Sequence, residues 1–145
     1  MAKIPTVEII EGPKYARDDE GWEHYSYKLR IRFGRRSMTS LWQQGVGVMS
    51  DPDIHDVMSA MLSDTSGIFE GQTFEGWAEE YGYDVDSRRA EATYRAVERQ
   101  TNNLRRLLGP DLLESLVSVE NYDDATYGSE EMFRAAWDRA SRATR

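Results

Sequence analysis

The side chains able to do chemistry are few and far apart. The sequence has two histidines, His24 and His55, and no cysteine. Neither histidine sits in a metal-spaced pair or beside a serine nucleophile motif, so either acts as a base only if the fold perturbs it. Gly45-Val46-Gly47 follows a strand-like run, but Ser50 stands where a dinucleotide-binding turn needs its third glycine, and no parallel βαβ unit follows. Asp84-Val85-Asp86 opens like a calcium loop, yet Arg88, Arg89 and Arg95 replace a ligand, the turn glycine and the closing glutamate. At that point the bland role is a helix start, with the carboxylates opposing the helix dipole. Glu79 and Glu80 are adjacent on a helical run and diverge, which argues against a glycosidase-type carboxylate pair. The expectation is a protein with no catalytic, cofactor-binding or metal-binding residues, and not an enzyme.

Charge is more informative. The formal net charge is −8. Residues 51–86 carry ten acids and no lysine or arginine, whereas residues 87–109 carry six arginines and two acids. Such blocks mark interaction surfaces or merely solvated faces. In the acidic block Asp53, Asp56, Glu75, Glu79, Glu80 and Asp84 have no basic neighbour in sequence. They form one candidate surface, suited to a basic partner such as a nucleic-acid-binding protein. The alternative is solubility combined with internal pairing to the basic helix. The second candidate is Arg88, Arg95, Arg99 and Arg106, which would bind phosphates with Lys28, Arg30, Arg32, Arg35 and Arg36 if the fold brings them together. Its alternative is a solvated helix face with Arg95 near Glu91 and Glu98, each pair contributing about 0.2–0.5 kcal/mol. An acidic protein is a poor general binder of nucleic acid.

These residues need elements to hold them. Thr6 to Glu11 is β-branched and closed by Gly12-Pro13, which predicts a first strand. Asp18 to Gly21 makes a polar turn. Tyr25, Tyr27, Leu29, Ile31 and Phe33 then alternate with Ser26, Lys28, Arg30 and Arg32, the pattern of a half-buried strand. Gly34-Arg35 turns the chain into a third strand around Arg36 to Trp42, followed by a loop from Gln43 to Ser50. Beyond it the period becomes helical. Asp51 is the expected cap, with Pro52 at the first helical position, of a three-turn helix striped by Ile54, Val57, Met58, Met61 and Leu62. Thr73 caps a short helix that turns Phe74, Trp77 and Tyr81 inward and stops at Gly82. From Asp86 or Ser87 a long helix places Ala90, Tyr94, Val97, Thr101, Leu104 and Leu108 in one stripe and the arginines opposite. Leu112, Leu113, Leu116 and Val117 mark another helix after Gly109-Pro110. Asn121 to Gly128 reads as a polar loop. Ser129 caps a last helix with Phe133, Ala136, Trp137 and Ala140 on one face and a frayed end at Arg142 to Arg145.

The expected fold class is therefore α+β, an N-terminal three-stranded antiparallel meander packed by four to five α-helices. One domain spans 1–145, with 1–50 mainly β and 51–145 mainly α. Hydrophobic residues at 39% with four tryptophans oppose disorder, and no apolar run approaches twenty residues. The start, MAKIPTVEII, lacks the apolar stretch of a secretory signal. A soluble protein of the reducing cytoplasm is expected.

Residues 74–109, FEGWAEEYGYDVDSRRAEATYRAVERQTNNLRRLLG, resemble a signature of small, largely uncharacterised proteins encoded by bacteriophages. The likeness is weaker over the Tyr-rich strand and the Gly45 to Gly47 loop. It implies a phage product acting in a bacterial host's cytoplasm and carries no functional residues with it. With the charge pattern, it leads to a non-enzymatic accessory protein that binds a host macromolecule through its acidic surface, an inhibitor of a defence nuclease of the anti-CRISPR kind being one form. The alternatives are a nucleic-acid-metabolism factor using the arginine stripe and a structural or assembly protein.

Overall fold

The computed structural model describes residues 3–48, 50–69 and 73–144; Glu70 of the acidic block and Arg145 lie outside the described residues. Three antiparallel strands, β1 (Thr6–Arg17), β2 (Glu23–Phe33) and β3 (Arg36–Gly45), pair in the order β1-β2-β3. Among the described residues six helices follow: α1 (Ile54–Phe69), α2 (Phe74–Glu80), α3 (Arg88–Leu108), α4 (Pro110–Leu116), α5 (Tyr122–Thr126) and α6 (Glu130–Ala143). The fold is α+β, as the change of hydrophobic period from two to 3.6 predicts.

One face of the sheet carries the core. Tyr27, Leu29 and Ile31 of β2 are buried with Met38 of β3, while Lys28 and Arg32 on the opposite face are exposed. Against the buried face pack Val57, Met58, Met61 and Leu62 of α1, Leu104, Leu107 and Leu108 of α3, and Leu113 and Leu116 of α4. Phe133, Ala136, Trp137 and Ala140 of α6 complete the cluster. Burying each large aliphatic or aromatic side chain contributes about 1.5–3 kcal/mol, so the stripes hold the helices in rotation. The Trp137 indole also donates to the Lys3 carbonyl at 2.9 Å, which ties α6 to the segment before β1.

Several boundaries move for local reasons. β1 does not close at Gly12-Pro13 but runs on to Arg17, with register shifts between Ile9 and Lys14. Proline is tolerated there because β1 is an edge strand and the missing N–H costs no ladder bond. Gly12 has φ 107°, and a Cβ on it would lie 2.6 Å from the Ser26 carbonyl oxygen, so only glycine fits the bulge. β3 likewise extends into the expected loop, as far as Gly45.

The cap of α1 is Asp53, not Asp51. Its Oδ1 accepts from the Asp56 N–H at 2.8 Å. Pro52 precedes that cap and is buried, as is Val57, and these are the two positions of a hydrophobic staple. α1 also has 16 residues rather than three turns. Its later part escapes an apolar count because a buried threonine, Thr65, continues the stripe.

Thr73 caps α2 and Ser87 caps α3 as expected, and Gly82, with φ 75°, follows α2. Tyr81 is the exception in α2. It falls beyond the last helical residue and is 48% exposed, while Trp77 is 4% exposed. The run from Asn121 to Gly128 is not a plain loop, since α5 forms within it. Five helical residues are too few to show a period in sequence. Ala125 is buried there, and the Ser59 hydroxyl donates to its carbonyl at 3.1 Å. The last helix keeps its form to Ala143, so Arg142 is helical and paired with Asp138 at 3.0 Å.

Candidate anion-binding groove

α3 runs beside β3 for most of its length. At its start Arg89 pairs with Glu20 of the β1–β2 turn at 3.1 Å; at its end the Arg36 guanidinium donates to the Arg106 carbonyl at 3.0 Å. Between these ties a groove follows the open edge of β3. Its widest cleft, about 630 Å³, is lined by Arg30, Arg36, Met38, Thr39, Asn103 and Arg106 among others. A smaller one of about 290 Å³ continues it past Leu41 to Arg99 and Gln100. At the other end Arg36 and Arg106 also border a cleft with Arg105, Asn102 and Pro110.

The electrostatics are one-sided. No carboxylate lines any of these three clefts. Among the described residues Arg30, Arg36, Arg99 and Arg106 form no salt bridge. Arg36 uses one N–H on the carbonyl end of α3, where a cation also opposes the helix dipole. Arg106 donates to Asn103 Oδ1. These neutral acceptors hold the Arg36 and Arg106 guanidinium groups without pairing either with a carboxylate.

The structure thus joins only part of the expected basic set. Arg30, Arg36 and Arg106 line one cleft of the groove, and Arg99 lines the smaller one that continues it. Arg88 and Arg95 lie toward the other end of α3, about 27 and 17 Å along the axis from Arg106 at 1.5 Å per residue, and Arg95 is engaged with Glu91. Lys28 and Arg32 share the outer sheet face with Arg30 but line none of the three clefts, and Arg32 pairs with Glu8 at 3.6 Å. Thr39, Asn103 and Leu107 line the cleft without any signal in the sequence, because proximity across β3 and α3 is a long-range property.

The acidic block does not form one surface. Asp53 and Asp56 sit at the start of α1, whereas Glu75, Glu79 and Glu80 are on α2 and Asp84 on the loop after it. α1 spans about 24 Å between the two groups. Asp56 is pushed up from the usual carboxylate range, first by burial and then by the charge of Asp53. Asp53, His55 and Asp56 offer ligand atoms within 4.8 Å of one another. However, Asp53 is the helix cap, and His55 Nε2 is 3.0 Å from the Gly128 carbonyl with its ring against Phe133. His24 is buried beneath Trp22, ring centroids 4.3 Å apart. Both histidines have structural neighbours and neither faces the groove.

The chain matches no model of a protein family, no curated protein and no solved structure.

Proposed function

We propose that the protein is a non-enzymatic binding module and that it holds an anionic partner in the groove between β3 and α3. One observation carries this reading: arginines from the β2–β3 hairpin and from α3 converge on one cleft that no carboxylate lines. Like charges gathered there repel one another, and an anion relieves that repulsion before any shape-specific contact forms. The likeness of residues 74–109 to phage-encoded proteins supports a host macromolecule as the partner, with inhibition of a defence system one form of the outcome.

A second reading keeps the acidic residues as the working surface. It is favoured by the absence of any ion pair from Asp53, Asp56, Glu75, Glu79 or Asp84 to α3 among the described residues.

Fluorescence anisotropy with labelled polyglutamate, a single-stranded oligonucleotide and polylysine separates the two. The groove reading expects one of the two anionic probes to bind with an affinity that falls with salt, and Arg36→Gln/Arg99→Gln/Arg106→Gln to weaken it about tenfold, three contacts of roughly 0.5 kcal/mol each. Binding of neither anion at low salt, or unchanged binding by this variant, refutes it. Polylysine binding that survives Glu75→Lys/Glu79→Lys/Asp84→Lys removes the second reading.

A further inference from the structure

We infer that the occupant of the groove is an acidic polypeptide segment in extended conformation, which adds to the sheet as a fourth strand beside β3. This rests on the groove being an anion site.

The two edges of the sheet differ. β1 carries Pro13, register shifts and the charges of Glu8, Glu11 and Lys14, all of which obstruct pairing with another strand. β3 from Ser37 to Gln43 has no proline, no charge and no register shift against β2.

The turn fixes which backbone groups are free. Gly34 and Arg35 form a two-residue connection, so Phe33 and Arg36 are the flanking hydrogen-bonded pair. At the other end the Val46 N–H donates to the Glu23 carbonyl at 3.3 Å, which is in phase with it. The even-numbered residues of β3 therefore bond to β2, and the N–H and C=O groups of Ser37, Thr39 and Leu41 point to the open edge. Among the described residues those N–H groups meet no acceptor, and the Leu41 carbonyl takes only the Ser40 hydroxyl at 3.4 Å.

Charge names the partner. Arg30 and Thr39 share the outer sheet face, while Arg99, Asn103 and Arg106 stand on α3 beside the inner face. A strand laid along β3 sends alternate side chains to these two faces, so acids at either parity meet arginine. A nucleic acid would leave the edge N–H groups without directed partners, finds no aromatic ring among the residues lining the three clefts, and is opposed at long range by the net charge of −8. A second copy of this chain would press the same arginines against each other.

The test uses the acetylated, amidated octapeptide ETEVETEV, the same peptide N-methylated at two adjacent central amides so that each of its edges loses a donor, and an oligothymidylate. The expected result is salt-dependent binding of the first peptide, slowed amide exchange at Thr39 and Leu41, and about tenfold weaker binding of the N-methylated form, roughly one to two hydrogen bonds. Thr39→Pro, which removes an outward N–H at a position where an edge strand tolerates proline, should weaken binding to a similar degree. Equal binding of both peptides, or no change in exchange at Thr39 and Leu41, overturns strand addition but leaves the groove reading standing. Oligothymidylate binding without peptide binding overturns it in favour of nucleic acid. Concentration-dependent dimerisation that protects the same amides overturns it in favour of a second copy. Binding of neither probe sinks the groove reading as well.

Discussion

The position of α3, and with it one wall of the groove, depends on a buried polar contact to α1. The Thr65 and Thr101 side chains are 0% and 1% exposed, and their Oγ1 atoms lie 3.1 Å apart. Only one hydroxyl can donate across the contact. Thr101→Val preserves the shape and nearly the helix propensity, so backbone terms largely cancel. It leaves the Thr65 hydroxyl buried without its partner, a cost of about 1–3 kcal/mol. Thr65→Val should cost the same for the mirror reason. The double variant replaces both groups by apolar ones of equal shape and should be nearly neutral, giving a coupling of about 1–3 kcal/mol in the cycle. Urea unfolding followed by tryptophan fluorescence measures the cycle. In thermal unfolding each single variant should lose about 2–12 °C, at roughly 2–4 °C per kcal/mol for a chain of this size. Additive single costs would show that each hydroxyl turns back onto its own helix, and that the contact does not fix α1 against α3.

Two further perturbations probe the same packing. Leu104→Ala should cost about 2–5 kcal/mol, because Leu104 is fully buried in the α3 stripe; a loss below about 1 kcal/mol would mean that α3 presents another face to the core. Asp64 is raised above the ordinary aspartate range by burial, which the Gln100 amide opposes in part. A raised folded-state value means that the folded protein binds the proton more readily than the unfolded chain. The ionised form therefore opposes folding above that value, and stability is regained as pH falls toward about 4. Asp64→Asn should raise the urea midpoint at neutral pH, modestly because the side chain keeps solvent contact, and the gain should vanish in acid. An equal gain at both pH values would contradict the cause given for the shift.

Where a single element carries its own information, the residues alone decide it. Alternation from Tyr25 to Phe33 selects the buried face of β2, and Ser87, Thr73 and Ser129 cap their helices because the cap contact spans only a few residues. The stripe on α3 follows from its period, and so does the placing of Arg99 and Arg106 opposite it. Asp51 before Pro52 is the expected cap in sequence, whereas in the fold Pro52 is buried and Asp53 accepts from the Asp56 N–H. The groove is a stronger case of the same limit. Arg36 and Arg106 are 70 residues apart, and nothing in either segment encodes their meeting. That contact depends on how the apolar faces of β2, β3, α1 and α3 share one core, because hydrophobic burial is non-directional and becomes specific only when all the faces pack at once. The composition of the charged blocks was therefore determined by the chain itself. Tertiary structure divided the acids between two ends of α1 and set four arginines along the edge of β3, whose outward N–H groups meet no acceptor among the described residues.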